Sequence, residues 1–425
     1  MSALNLDDFA DTVERPDAAV QRDAEERRHR LGPPAGSLGR LEELGDWLAA
    51  AQGQCPARRL DNVKVVLFAG DHGVARLGVS AREPGTTVSL VREVLEGEAA
   101  VSVLARAYDA QVRVVDMSVD CDPGELPAEV TRHRVRRGSG RIDIEDALTA
   151  QEAEQAFRAG MAVADEEADS GTDLVVLGDL SVGGTTVAGV LVAALCGTDA
   201  SVVTGRGSGI DDLAWMRKCA AIRDALRRAR PVLGDQMELL ATTGGADFAA
   251  MAGFLAQCAV RRTPVVLDGV VSAACALVVQ RIAFRAPDWW QASQSTGEPA
   301  LAKALDRLAL EPLVDHGVKL GEGTGALLAL PVLRAAAALL AELPERAAAP
   351  EPGPEADEPA AHTVGNPEQE DSEPQPGAGT EPQTRTETGT RTEHETGTAS
   401  ETRTETGTRT EPETGTEPAA DETRE

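Results

Sequence analysis

The sequence predicts an α/β fold, with a parallel sheet of buried strands covered by helices. Short β-branched apolar runs recur between residues 63 and 269. Continuous runs of that length suit strands buried on both faces. Ala/Leu-rich segments with helical spacing separate them. Such alternation implies βαβ units with right-handed crossovers. Apolar residues make up 42% of the chain and aromatic residues only 3%. The core is therefore expected to rest on Ala, Val and Leu.

The elements follow in order. The first 60 residues read as two helices broken by Pro33 and Pro34. Ser37 is expected to cap the second helix, and Trp47 falls on its apolar face. The expected strands are 63–73 (VKVVLFAGDHG), 112–120 (VRVVDMSVD), 173–179 (DLVVLGD), 201–205 (SVVTG) and 264–269 (PVVLDG). Helices are expected over 185–197 and 247–260, and residues 280–310 read as mainly helical. This body is expected to form one domain over 1–345, with about 1–60 contributing to a smaller helical part. From about 346 the chain turns into Pro/Glu-rich sequence and near-repeats of TRTETGTRTE, with Val364 the single large aliphatic in 351–425. Such a segment cannot offset chain entropy by burial. It reads as a disordered tail over 346–425, either a solvating appendage or a partner-binding arm.

Charge and cysteine usage narrow the function class. Formal net charge is -29. About half of it lies in 351–425, where 20 acidic side chains face five basic ones. A chain so acidic repels a nucleic-acid backbone, and the basic stretch RHRVRRGSGR at 132–141 is too short to reverse that. The six cysteines, at 55, 121, 196, 219, 258 and 275, form no CxxC pair. Scattered buried thiols are expected rather than a disulfide or zinc framework. The acidic N-terminus lacks an apolar signal segment, and no apolar run is read as long enough to span a membrane. A cytoplasmic location is the expectation.

Glycine clusters at strand ends: GDLSVGGTT (178–186), TGRGSGIDD (204–212), TTGGAD (242–247) and GEGTGA (321–326). Each precedes a helical run. A Gly-rich loop opening a helix offers free N–H groups and a positive dipole end to phosphate or carboxylate. Four of them in one α/β body suggest an anionic, phosphorylated ligand. There is no GxxxxGK[ST] and no GxGxxG after the first strand, so P-loop and dinucleotide readings are disfavoured. HExxH, GxSxG and the kinase set are also missing. Four strands end in an acid, at Asp71, Asp116, Asp179 and Asp268. Ligands of open α/β sheets bind beyond the strands' carboxyl ends, although such acids also serve as helix caps. His72 beside Asp71 reads as a structural hydrogen-bonding residue. No histidine spacing indicates a metal, and no cofactor is expected.

PPAGSLGRLEEL, FAGDHGVARLGVSA, LGDLSVGGTT, GRGSGIDD, PVVLDGVVSAACAL and LGEGTGALLALPVL resemble, in order, motifs of the nicotinate-nucleotide–dimethylbenzimidazole phosphoribosyltransferases of cobalamin biosynthesis. The likeness covers roughly residues 5–340. It implies a Rossmann-like sheet, a homodimer, and two substrates, nicotinate mononucleotide and a benzimidazole-type base. The implied products are nicotinate and α-ribazole 5'-phosphate. The resemblance makes Glu322, in GEGTGA, the general base that takes the N–H proton of the incoming imidazole. Such a base is typically worth about 10²–10⁴-fold in rate. Asp179 stands where the family usually has Glu and is expected to steady positive charge at the ribosyl carbon. Thr185, Thr186 and Lys218 are expected at the phosphate. The resemblance also implies substrate contacts for Ser80, Gly178, Gly205, Gly207, Ser295 and Leu320. Departures occur at Ser181 and Gly184, where the family often has Gly and Asn. At 82–85, Arg-Glu-Pro-Gly replaces an aromatic-Pro-Gln-Glu pattern. The last change leaves another base open: benzimidazole, adenine or a phenol. A non-catalytic nucleotide-binding homologue is the other alternative.

Overall fold

The computed structural model describes residues 4–207 and 209–346. The acidic tail expected over 346–425 therefore lies outside the described residues, Arg346 excepted. Six parallel strands form one sheet: β1 (Val63–Asp71), β2 (Ala110–Ser118), β3 (Leu174–Val182), β4 (Val265–Leu267), β5 (Trp290–Gln294) and β6 (Pro312–Val314). Their order is β2-β1-β3-β4-β5-β6. Winding reverses between β1 and β3, and a crevice opens beyond the strand ends at such a switch point.

Each strand feeds two cores, because successive side chains point to opposite faces. On β1, Val65, Leu67 and Ala69 pack with the helices Arg40–Gln52, Thr87–Glu96 and Thr324–Glu342. Val66 and Phe68 pack with the helices Ala150–Asp169, Gly184–Cys196, Ala246–Val260 and Gly269–Ile282. The result is a helix–sheet–helix sandwich. Helices Ala150–Asp169 and Ala246–Val260 approach backbone to backbone. A Cβ on Gly160 would lie 1.8 Å from the Ala250 carbonyl oxygen, and one on Gly253 would lie 2.0 Å from that of Phe157.

Several expectations need correction. Residues 201–205 are not a strand: Ala200–Val203 is one helical turn. The Thr204 hydroxyl donates back to the Ala200 carbonyl, closing that turn. A short apolar β-branched run does not distinguish strand from helix by pattern alone. Residues 280–310 hold helical segments as expected, with the helix Pro299–Leu308 the longest, but they also contain the unexpected strand β5. β6 has only three residues and carries no pattern of its own. Ser37 does not cap the second helix, which starts at Arg40 after Gly39. Instead the Glu42 carboxylate accepts from the Gly36 and Leu38 amides and pairs with Arg28. The helix Thr324–Glu342 is long and apolar enough to cross a membrane, with a mean hydropathy of 1.8. The sequence expectation that no apolar run is long enough to span a membrane is not met here, for the helix runs unbroken through Pro331 and Arg334. More than half of it is buried in the fold, and Arg334 donates to the Leu60 and Tyr108 carbonyls. By packing it is a core helix of the sandwich.

All six cysteines are free, with Cys121, Cys258 and Cys275 buried. The arginines of the 132–141 stretch are paired with acids. Arg132 meets Glu166, Arg134 Asp116, Arg136 Glu152, Arg137 Asp120 and Asp122, and Arg141 Asp143. That stretch therefore presents ion pairs rather than a basic patch.

Candidate active site

A cavity of about 480 Å³ opens at the carboxyl ends of β3, β4 and β5, within the size range of small-molecule sites. Of the residues expected at substrate, Ser80, Asp179, Thr185, Gly207, Leu320 and Glu322 line it. Gly178, Thr186, Gly205, Lys218 and Ser295 do not.

Glu322 enters the cavity from an unusual backbone. Gly321, Glu322 and Gly323 all have positive φ, at 77°, 61° and 81°. Such angles are natural for glycine and strained for glutamate. Asp268, after β4, holds this turn in place. Its carboxylate accepts from the Gly323 amide at 2.8 Å and the Ala326 amide at 2.9 Å, capping the helix Thr324–Glu342. Gly178 contributes by lacking a side chain, since a Cβ there would lie 2.6 Å from the Gly323 nitrogen. Burial raises the Glu322 carboxyl above the usual range, against the pull of Arg82, while Glu93 and Asp268 add to the rise. The Arg82 guanidinium stands 3.2 Å from Glu322 Oε1.

Asp179 faces the cavity from β3. Burial pushes it up to about 7, with Asp247, Asp268 and Glu322 adding repulsion and the Ser181 hydroxyl opposing. That hydroxyl donates to Asp179 Oδ2 at 2.6 Å. A Cβ on Gly184 would fall 2.0 Å from the same hydroxyl oxygen. The two departures at 181 and 184 are thus coupled: the serine fills the space that a side chain at 184 needs. Asp268 is likewise raised, to about 6, by burial and against its amide donors.

At the glycine-loop end, Lys218 is buried behind Thr185 and donates to its hydroxyl at 2.9 Å. Burial lowers the Lys218 ammonium, and Glu298 opposes the shift. Thr186 is fully buried and its hydroxyl has no partner among the described residues. Gly205 and Gly207 face the carboxylate of Glu298. The Gly207 amide donates to Glu298 Oε1 at 2.6 Å, and a Cβ on Gly205 would lie 1.8 Å from Oε2. The Gly207 amide, expected at substrate, is therefore held by an internal acid. Ser295 directly follows β5, its amide donating to the Val314 carbonyl; its neighbour Thr296 lines the cavity instead.

The strand-end acids divide. Asp71 accepts from the Thr87 hydroxyl and the Asp120 amide, and Asp116 from Arg134 and the Val119 amide. Both serve the framework, while Asp179 and Asp268 line the cavity. His72 is buried against Asp247, its Nε2 3.1 Å from Oδ2. Burial alone would lower it, but pairing with Asp247 leaves it raised. Sequence reasoning marked the segment 82–85 as a departure bearing on the base but gave Arg82 no role, and it missed Glu298, Thr296 and Lys319 as cavity residues.

Residues 13–350 match a family described as phosphoribosyltransferase. The chain is similar to the nicotinate-nucleotide–dimethylbenzimidazole phosphoribosyltransferase of Streptomyces avermitilis, 73% identical over 345 residues, covering 81% of this chain and 92% of that protein. It is 53% identical over 332 residues to the protein of the same description from Mycolicibacterium paratuberculosis, covering 78% and 95%. Among solved structures, the crystal structure of CobT from Thermus thermophilus matches with a TM-score of 0.72 at 38% identity, covering 76% of this chain and 96% of that one.

Proposed function

The chain belongs to the nicotinate-nucleotide–dimethylbenzimidazole phosphoribosyltransferase family, and from that premise we propose how its cavity carries out the transfer. The substrates are nicotinate mononucleotide and 5,6-dimethylbenzimidazole; the products are α-ribazole 5'-phosphate and nicotinate. The observation that carries this reading is Glu322, projected by a strained turn into the cavity that Asp179 also lines.

The pyridinium nitrogen of the nucleotide is cationic, so the bond to the ribosyl carbon breaks with its electron pair returning to nicotinate. The imine nitrogen of the base forms the new bond from the opposite face. The N–H proton of the base goes to the Glu322 carboxylate, for which a raised proton affinity suits a general base. Asp179, as the anion, balances charge growing on the ribosyl carbon. The 5'-phosphate lies at Thr185 and Gly207, where it takes over the Gly207 amide from Glu298, with the Lys218 charge behind the Thr185 hydroxyl. Alignment of the two reactants accounts for much of the remaining acceleration. A homodimer and a cytoplasmic location belong to the same proposal. Light scattering at about twice 44.4 kDa checks the first.

The test is chromatographic. Purified protein with both substrates releases nicotinate and α-ribazole phosphate, and Glu322→Gln loses about 10²–10⁴-fold in kcat. Absence of product with dimethylbenzimidazole, benzimidazole, adenine and a phenol would refute the reading.

A further inference from the structure

We propose that Arg82 is a latch on Glu322, holding the carboxylate in an ion pair until an aromatic base seated in the cavity takes the guanidinium's place. The proposal rests on the reading of Glu322 as general base and adds the residue that times it.

Among the described residues, Arg82 is the one hydrogen-bonding partner of the Glu322 carboxylate. The pair joins segments 240 positions apart, and both residues line the cavity. The two sides differ in freedom. Glu322 sits on a turn fixed by Asp268 through two amides. Arg82 belongs to the segment between Ser80 and Thr86, which has neither helix nor strand. Its side chain is 37% exposed while that of Glu322 is 12% exposed. The arginine is the member that can move.

The chemistry favours its moving. A guanidinium on a carboxylate stabilises the anion and weakens it as a base. It also occupies a lone pair of Oε1, one of the two oxygens that can accept the N–H of an incoming base. Other charges around Glu322 do not relieve this competition. Glu93 of the helix Thr87–Glu96, Asp268 after β4 and Asp179 on β3 are acids that raise its proton affinity or share its cavity. Lys319, on the same loop, and Glu298, across the cavity, have no hydrogen bond to it among the described residues. Once an aromatic base displaces Arg82, Glu322 faces mainly acids and the substrate N–H. It then becomes a stronger base in the assembled complex.

Arg82→Met keeps the side-chain length and removes the charge. The expected result is an upward shift of the acid limb of kcat/KM for dimethylbenzimidazole by about one pH unit. KM for the base falls, because seating it no longer breaks an ion pair. The acid limb of kcat stays at the wild-type position, since Arg82 has already left in the ternary complex. Arg82→Lys, which keeps the charge, is expected to lie nearer wild type in all three. An Arg82→Met variant with unmoved kcat/KM limb and KM overturns the latch, as does Arg82→Lys coinciding with Arg82→Met. Thermal melting of each variant separates these outcomes from misfolding. If the wild-type protein forms no product, the reaction itself is refuted; if it does and these limbs stand still, only the latch is.

Discussion

At Asp179 one hydroxyl adjusts the acidity of a carboxylate that the proposed reaction needs as an anion. The group is raised to about 7 by burial first, so in the free enzyme it gains a proton as pH falls through that value. kcat/KM for the nucleotide is expected to drop below about pH 7. The acid limb of kcat is expected to lie lower, because a bound pyridinium favours the ionised form. Both limbs are read from initial rates at saturating and limiting nucleotide. The Ser181 hydroxyl opposes the rise, so its loss moves the kcat/KM limb upward. Gly184→Ala does the same indirectly, since its Cβ would meet that hydroxyl at 2.0 Å and turn it away. The Ser181→Gly/Gly184→Ala double variant is expected to shift the limb no further than either single change, because both act on one hydrogen bond. Additive shifts would show two independent effects. Asp179, Thr185, Gly207 and Glu322 were legible because each falls in a glycine-rich stretch of sequence, although Asp179 lies within β3 and Thr185 within the following helix. Glu298 was not, and Arg82 was legible only as part of the 82–85 departure and not as a partner of Glu322, since Gly207 and Glu322 lie 91 and 240 positions away from them. No local pattern announces a contact made only by folding.

The helices behind the cavity depend on glycine at their crossing. Gly253→Ala would place a methyl carbon 2.0 Å from a backbone oxygen that cannot rotate away. Overpacking of this kind typically costs about 1–3 kcal/mol. A lower denaturant midpoint with an unchanged m-value checks it. Gly205 and Gly207 meet the start of the helix Pro299–Leu308 in a second contact, through Glu298. Removing that charge while keeping the side-chain shape removes repulsion toward an arriving phosphate. Glu298→Gln is expected to lower KM for the nucleotide about fivefold, or ~1 kcal/mol. A raised KM would mean that the carboxylate instead orders the loop for binding. Element reading from sequence was good where periodicity ran long, as in β1, β2, β3 and the helix Ala246–Val260. It failed at Ala200–Val203, β5 and β6, with only four, five and three residues. Pattern over so few positions is outweighed by what the rest of the fold packs against them.

At the scale of the whole molecule, the family match ends at residue 350, and the cavity residues all lie before it. A chain ending at residue 350 is expected to keep the kcat, KM and melting temperature of the full chain. A loss in any of them would assign the acidic segment a part in the reaction or the fold. The turn Gly321–Glu322–Gly323 bears on durability as well as catalysis. A glutamate at φ 61° carries backbone strain, of order 1–3 kcal/mol for a sparsely populated conformation. Its burial among Glu93 and Asp268 adds an electrostatic load. Glu322→Gly relieves both, so the inactive variant is expected to melt at or above the wild-type temperature despite the added chain freedom of glycine. Selection for thermal endurance alone would therefore erode this position first. A hardier descendant of the protein is then the one in which loss of activity should be checked before its stability is credited.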